Sequence, residues 1–135
     1  MTNLTMTLPF PPSVNHYWRH VVLGKPPKQR VTTLISKPGR EYSESVAAQV
    51  LAEKTRLKIA NYVAMTVLLS PPDRRRRDVD NYSKSLLDSL VKAGVLEDDS
   101  LVRDLRLVWG EVRKGGQAVV MIREIAQQAQ GVLHE

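Results

Sequence analysis

Acidic and basic residues crowd into one twelve-residue stretch of this 135-residue chain. Four consecutive arginines lie between Asp73 and Asp78, and Asp80 and Lys84 follow them. Guanidinium groups are planar and donate several hydrogen bonds, which suits phosphate oxygens. Clustered carboxylates suit a hard cation such as Mg²⁺, whose remaining ligands are water and phosphate oxygens. The stretch therefore predicts a site for metal-dependent phosphodiester hydrolysis.

Simpler structural roles stay open for each of these residues. The arginines could form a solvated turn that pairs with Asp73 and Asp78. Either Asp78 or Asp80 could cap the helix that follows, and Lys84 could make a helical ion pair with Asp80. Two neighbouring carboxylates repel each other unless a cation lies between them, which favours the metal site.

A second acidic group, Glu97-Asp98-Asp99, follows the helix that the first group precedes. One of its carboxylates could return to the site if the next strand runs beside the earlier one. As a simple turn, residues 97–100 need no function. Spacing alone does not choose between Asp98 and Asp99.

The elements that position these residues follow from periodicity and from proline and glycine. We expect strands at residues 4–8, 62–69, 101–112 and 118–125, a hairpin near residues 25–28, and helices at residues 41–57 and 80–93. The last two strands are predicted to pair as a hairpin around Lys114-Gly115-Gly116. The first helix is expected to bury Val46, Val50, Leu51 and Leu57, and Trp109 is expected in the core.

This element order predicts an α/β (α+β) fold. The chain is expected to form a single compact domain, with a mixed β-sheet and two main helices on one face. Residues 1–125 would be the domain and residues 126–135 a C-terminal tail.

Composition narrows the classes of function. The net charge of +6 and the pI near 9.8 favour a polyanionic partner. The absence of cysteine excludes disulfides and thiolate metal sites, and His16 and His20 lack further zinc ligands nearby. No signal peptide or membrane span is evident, so we expect a cytoplasmic protein without a membrane partner. Lys25, Lys28, Arg30, Lys37 and Arg40 form a diffuse basic belt expected to contact phosphates unspecifically.

The same residues carry a resemblance to a known family. Residues 72–81 and Lys84, followed by Lys92-Ala93-Gly94 and Asp98-Asp99, resemble the signature of the RusA-type Holliday-junction resolvases, the crossover junction endodeoxyribonucleases. Residues 8–13 with Asn15, Tyr17, Arg19 and His20 are similar to that family's N-terminal stretch. The resemblance runs collinearly through nearly the whole chain, although residues 21–35 are longer than in its relatives.

The resemblance implies a homodimer that resolves four-way DNA junctions by symmetric paired nicking, with Mg²⁺ or a substituting Mn²⁺. It implies Asp78, Asp80, Lys84 and Asp99 as catalytic residues, with Asp78, Asp80 and Asp99 holding the metal. The residues expected to contact DNA are Arg74, Arg75, Arg76, Arg77, Asn15, Tyr17 and Arg19. No nucleotide cofactor is expected, and the resemblance implies a bacterial, phage or prophage source.

Two other functions compete with this interpretation. The first is a non-catalytic junction or single-strand DNA-binding protein on the same fold. The second is a general basic interaction protein with a structural acidic turn. A protein that only bound DNA would gain affinity by losing carboxylates beside phosphates, so the intact acidic set favours the enzyme.

Overall fold

A computed structural model describes residues 2–126, and most of the predicted tail lies outside these described residues. In chain order the elements are β1 (Asn3–Leu8), α1 (Val14–Tyr17), β2 (Trp18–Leu23), β3 (Arg30–Ile35), α2 (Lys37–Ala52), β4 (Val63–Ser70), a 3₁₀ turn (Val79–Tyr82), α3 (Ser83–Ala93), a second 3₁₀ turn (Asp99–Leu101), β5 (Val102–Trp109) and β6 (Gln117–Glu124). The part of the chain so described contains no helix long and apolar enough to cross a membrane.

The main sheet has four strands in the order β1-β6-β4-β5. β4 and β5 run parallel, and the other neighbouring strands are antiparallel. Alternate residues of β4, from Val63 to Leu69, are buried on one face, where they join Val46 and Val50 of α2 and Leu86 and Leu90 of α3. The predicted mixed sheet with two helices on one face is therefore confirmed.

Helix α2 begins earlier and ends earlier than its periodicity predicted. Ser36 caps it by accepting a 3.0 Å hydrogen bond from the Gly39 amide, and a proline in the first turn is compatible with helix. Because the helix ends at Ala52, Leu57 lies beyond it and is 46% exposed. Leu51, about 100° around the helix from Val50, is 71% exposed, so the prediction that both leucines are buried was wrong.

The predicted hairpin between the last two strands was also wrong, because β5 and β6 lie on opposite sides of β4. Helix α3 carries the chain from the end of β4 back to its beginning, so β5 pairs parallel to β4. The connection after β5 then crosses the end of β4. There the Gly110 amide donates to Leu69 O at 2.7 Å and the Arg113 amide donates to Pro71 O at 2.9 Å.

Strands β2 and β3 form a separate two-stranded sheet that no strand of the main sheet joins. This confirms the predicted hairpin in the first third of the chain. Its base is tied to the helices, since the Tyr17 hydroxyl donates to Asp88 of α3 and Ser36 Oγ donates to Tyr17 O at 3.0 Å.

Candidate active site

The loop that follows β4, residues 71–78, is organised by Asp73; we call it the arginine loop. Asp73 Oδ1 lies 2.9 Å from Arg77 Nη1, and Asp73 Oδ2 lies 3.1 Å from Arg75 Nη2. The Arg75 amide also donates to Asp73 Oδ1 at 3.0 Å. One carboxylate therefore fixes two guanidinium groups and bends the backbone around itself, as the paired-turn alternative predicted for Asp73.

Asp73 is held in its ionised form by these contacts. The Arg77 guanidinium, followed by that of Arg75 and the Arg75 amide, keeps the pKa of the Asp73 carboxyl well below its usual range. Each of these donors favours the charged carboxylate. Asp73 is thus a structural anion of the loop, with its oxygens already occupied.

The four arginines differ in exposure. The Arg77 side chain is only 10% exposed and lies over the Phe10 ring, 5.8 Å from its centroid. Arg74 and Arg76 are exposed and have no side-chain partner within residues 2–126. Arg77 is consequently a packing element, whereas Arg74 and Arg76 are the guanidiniums available to an incoming phosphate.

An aromatic cluster that the sequence did not predict supports the arginine loop. Phe10 and Tyr82 have ring centroids 5.0 Å apart, and Trp109 lies 5.9 Å from Tyr82 and 6.4 Å from Phe10. Trp109 is 38% exposed at the end of the edge strand β5, so its predicted place in the core was wrong. Because β5 runs parallel to β4 and ends at the same end of the sheet, its last residue, Trp109, meets Phe10 and Tyr82 there.

Open clefts flank the arginine loop. A cleft of about 650 Å³ lies between the loop and the segment after β5, with Arg74, Arg75, Trp109 and Glu111 among its walls. A smaller one of about 350 Å³ is lined by Arg76, Asp78 and four neighbouring residues. Both clefts are open to solvent, so the arginines in their walls are accessible to a ligand.

Asp78, Asp80 and Lys84 lie together where the loop enters α3, and all three are exposed. Neither aspartate side chain caps the 3₁₀ turn or α3. Within residues 2–126 their carboxylates accept no hydrogen bond and make no ion pair, and the alternative Asp80–Lys84 pair is absent there. These two carboxylates and the ammonium are therefore free to bind other groups.

The second acidic group divides in the same way. Asp98 Oδ2 accepts a 3.1 Å hydrogen bond from the Ser100 amide and caps the second 3₁₀ turn. Hydrogen bonds from the Ser100 side chain and amide lower the pKa of the Asp98 carboxyl. Asp99 is exposed, and its carboxylate has no partner within the described chain. Local structure thus separates Asp98 from Asp99, which spacing alone did not.

Asp99 does not lie beside Asp78 and Asp80 in a single chain. α3, whose 11 residues span about 16 Å, runs between the two acidic groups. Tyr82 contacts Trp109 at the end of β5, whereas Asp99 precedes its beginning, about 23 Å away along the strand. Accordingly, no three acidic or histidine side chains within residues 2–126 form a group that could hold a metal ion.

The free carboxylates nevertheless have the donor chemistry that a hard divalent cation requires. Within residues 2–126, Asp78 and Asp80 provide exposed oxygens without a protein donor, and Asp78 lines the same cleft as Arg76. One chain therefore supplies two of the three predicted carboxylates at one place.

The remaining predicted DNA contacts fall into two classes. Asn15 and Arg19 are both exposed, and the short helix that carries Asn15 contacts the 3₁₀ turn that follows the arginine loop. Tyr17 is fully buried, and burial, together with its bond to Asp88, raises the pKa of its hydroxyl. Tyr17 therefore cannot contact DNA directly, because its short helix turns it inward against α3.

Comparison with known proteins decides the family. The family model for endodeoxyribonuclease RusA matches residues 9–123, a span that contains the arginine loop and both acidic groups. The chain belongs to this family.

Individual relatives agree with this assignment. The crossover junction endodeoxyribonuclease RusA of Escherichia coli K12 is 37% identical over 128 residues, which cover 95% of this chain and 100% of that protein. The protein of the same name from Enterobacteria phage 82 is 38% identical over an equal span. A third, from Shigella sonnei, is 37% identical.

Proposed function

We propose that this chain is a crossover junction endodeoxyribonuclease that resolves four-way DNA junctions by paired, Mg²⁺-dependent nicking. The observation that carries the proposal is the pair of unpartnered carboxylates, Asp78 and Asp80, beside the exposed Arg74 and Arg76 in a member of this family. Carboxylates without protein donors would hold a hard divalent ion, and the neighbouring guanidiniums would bind a phosphate. Mn²⁺ would substitute for Mg²⁺ because it accepts the same oxygen ligands.

Each residue of the site has a separate task. Arg74 and Arg76 bind backbone phosphates on either side of the cleavage point and orient the strand. Asp78, Asp80 and Asp99 would hold the metal, which would supply activation of the attacking water and stabilisation of the leaving oxygen. Lys84, four residues after Asp80, offsets negative charge that develops on the phosphorane.

The position of Asp99 supports a homodimer as the active unit. Since α3 separates Asp99 from the other two carboxylates, the third ligand is supplied by a second copy of the chain. A two-fold dimer then has two composite sites, which fits symmetric cutting of a pseudo-two-fold junction.

The edge strand β5 offers the surface for such a dimer. One side of β5 pairs with β4, and its other side has no neighbouring strand among the described residues. Leu105, Val108 and Trp109 are partly exposed on it. Antiparallel pairing of two β5 strands would set the beginning of one, next to Asp99, beside the end of the other, where the partner's arginine loop lies.

The deciding experiment incubates a synthetic four-way junction with wild-type protein and with Asp80→Asn, in Mg²⁺ and in Mn²⁺. We expect paired nicks from the wild type and none from Asp80→Asn, which should bind the junction at least as tightly because it loses a negative charge. Junction binding without cutting in either metal would make the chain the non-catalytic binder. Equal cutting by both proteins would refute the metal assignment.

A further inference from the structure

The net charge of this protein is confined to its first 40 residues. These residues contain six Lys and Arg and no Asp or Glu, whereas the remaining 95 carry fourteen of each sign. The region's charge of +6 therefore equals that of the whole chain. Arg19, Lys25, Lys28 and Arg30 of this set lie on β2, on β3 or in the turn that joins them.

We infer that residues 18–35, which we call the basic ribbon, bind in the major groove of a duplex arm, away from the cleavage point. The inference rests on the proposed function in one respect: the duplex is identified as one arm of a junction. None of the catalytic residues described above lies on this segment. The inference is argued from the size, charge and rigidity of the ribbon.

The shape of the basic ribbon suits a DNA groove. Its two six-residue strands are about 20 Å long, and two paired strands fit a major groove about 12 Å wide. The turn at its tip is tight, since the Lys28 amide donates to Lys25 O at 2.7 Å. Gly24, at φ +85°, leaves no room for a side chain there, because a Cβ would lie 2.6 Å from Lys28 O.

The base of the ribbon is fixed to the body of the protein. Lys92 of α3 pairs with Asp88 at 3.0 Å and lies over the rings of Tyr17 and Trp18, 5.7 and 5.8 Å from their centroids. At Gly39 a Cβ would come within 2.5 Å of Tyr17 O, so α2 and the base of the ribbon are in close contact. A ribbon held at its base can position a duplex relative to the arginine loop.

The exposed surface of the ribbon selects duplex DNA over the other occupants. Val22 and Val31 are opposite each other and are 59% and 67% exposed, which suits contact with thymine methyl groups in a groove. Single strands are bound mainly by stacking on large exposed aromatic rings, and the ribbon's one Phe, Tyr or Trp residue, Trp18, packs edge-on against Tyr17 at its base. A second copy would bring an equally positive ribbon, so ribbon-to-ribbon pairing is repulsive.

The test uses binding of a linear, unbranched duplex without metal, so that it does not depend on cutting. The variant is Lys25→Gln/Lys28→Gln/Arg30→Gln. Its matched control is Lys54→Gln/Arg56→Gln/Lys58→Gln. It removes the same charge from exposed positions between α2 and β4, near the end of the sheet opposite the arginine loop. Duplex affinity is measured as a function of salt for all three proteins, together with their melting temperatures.

We expect loss of three phosphate contacts to lower the slope of log affinity against log salt by about 2.7. Between about 50 and 200 mM salt the wild type should then lose about fortyfold more affinity than the ribbon variant. The control should keep the wild-type slope. An equal change in both variants, or no change in the ribbon variant, would overturn the proposal.

A footprint on a junction with long arms identifies the groove. Wild-type protein should protect guanine N7, a major-groove atom, from dimethyl sulfate on an arm several base pairs from the branch point. The ribbon variant should lose this protection yet still cut a junction with short arms at saturating protein. Protection confined to the branch point would refute the ribbon's role, whereas ribbon protection by a protein that never cuts would refute only the proposed function.

Discussion

The two acidic groups of this protein have the same arrangement, although they lie at opposite ends of α3. In each, one aspartate is held by its own loop: Asp73 by Arg77 and Arg75, and Asp98 by Ser100. In each, a later aspartate has an exposed carboxylate without a partner in the described chain: Asp78 and Asp80 in the first group and Asp99 in the second. The held carboxylate shapes the loop, and the free one is left available to bind a cation.

The difference between held and free carboxylates separates structure from chemistry within short stretches of identical residue type. An anion whose oxygens already accept hydrogen bonds gains little from a metal ion. An anion without donors beside a second carboxylate gains much, because the cation removes the repulsion between them. Predictions about the two classes therefore differ in kind, with activity lost at the free positions and local order lost at the held ones.

The largest expected effect is on cutting by Asp99→Asn, with Asp98→Asn as its matched control. Changing residues that merely orient metal ligands costs about 10- to 100-fold, so loss of a ligand should reduce junction cutting by at least about a hundredfold. Asp98→Asn should change cutting by less than about threefold, since only a surface cap is weakened. The two variants are compared in a junction-cutting assay at saturating Mg²⁺. Similar losses of cutting in both would refute the distinction between held and free carboxylates.

Mixing two inactive variants tests whether the free carboxylates meet across a dimer. In a mixed dimer of Asp80→Asn and Asp99→Asn, one composite site lacks both residues and the other is intact. Mixing should therefore restore nicking of one strand, without paired cutting. If all three carboxylates acted within one chain, each site would lack one ligand and the mixture would stay inactive.

A smaller effect is expected from Asp73→Asn, which removes the ion pairs that fix Arg75 and Arg77. Small misplacements of positioning groups are costly, so cutting should fall by about tenfold. Duplex binding should not weaken, because a negative charge has been removed near the phosphates. Glu44→Gln, at an exposed position of α2, makes the same charge change elsewhere and should leave cutting unaltered. Equal loss in both variants would attribute the effect to charge alone.

The aromatic cluster behind the arginine loop should have a weaker influence. Trp109→Ala removes two ring contacts, worth about 2 kcal/mol of folding free energy together, and should reduce cutting by only a few-fold. Trp109→Phe, which keeps an aromatic face against Phe10, should recover most of both losses. Thermal unfolding and cutting are measured on the same preparations, and a stability loss without recovery by Phe would argue that ring stacking is unimportant.

Sequence patterns predicted much of this molecule, and the errors have a common physical cause. Local signals sufficed for β4, for α3 with its Gly94 end and for the composition of the arginine loop. They failed for Tyr17, Trp109 and the pairing of β5 with β6, because burial and strand order depend on contacts between residues far apart in the chain. The separation of Asp99 from Asp80 also follows from topology, since α3 intervenes.

The smallest expected effect concerns titration, and it distinguishes the two held carboxylates from each other. The pKa values of Asp73 and Asp98 are both lowered, so the stability each provides is present above its unfolded pKa of about 3.9 and is lost as pH falls through the folded value. Neither should influence cutting between about pH 5 and 8. Carboxyl NMR should give midpoints below about 3.9 for both.

Salt distinguishes the two carboxylates. At 1 M salt, where screening acts over about 3 Å, the Asp73 midpoint should rise because its partners are cationic. The Asp98 midpoint should hardly move, since its donors, the hydroxyl and amide of Ser100, are neutral. A common salt response would mean that charge holds both turns.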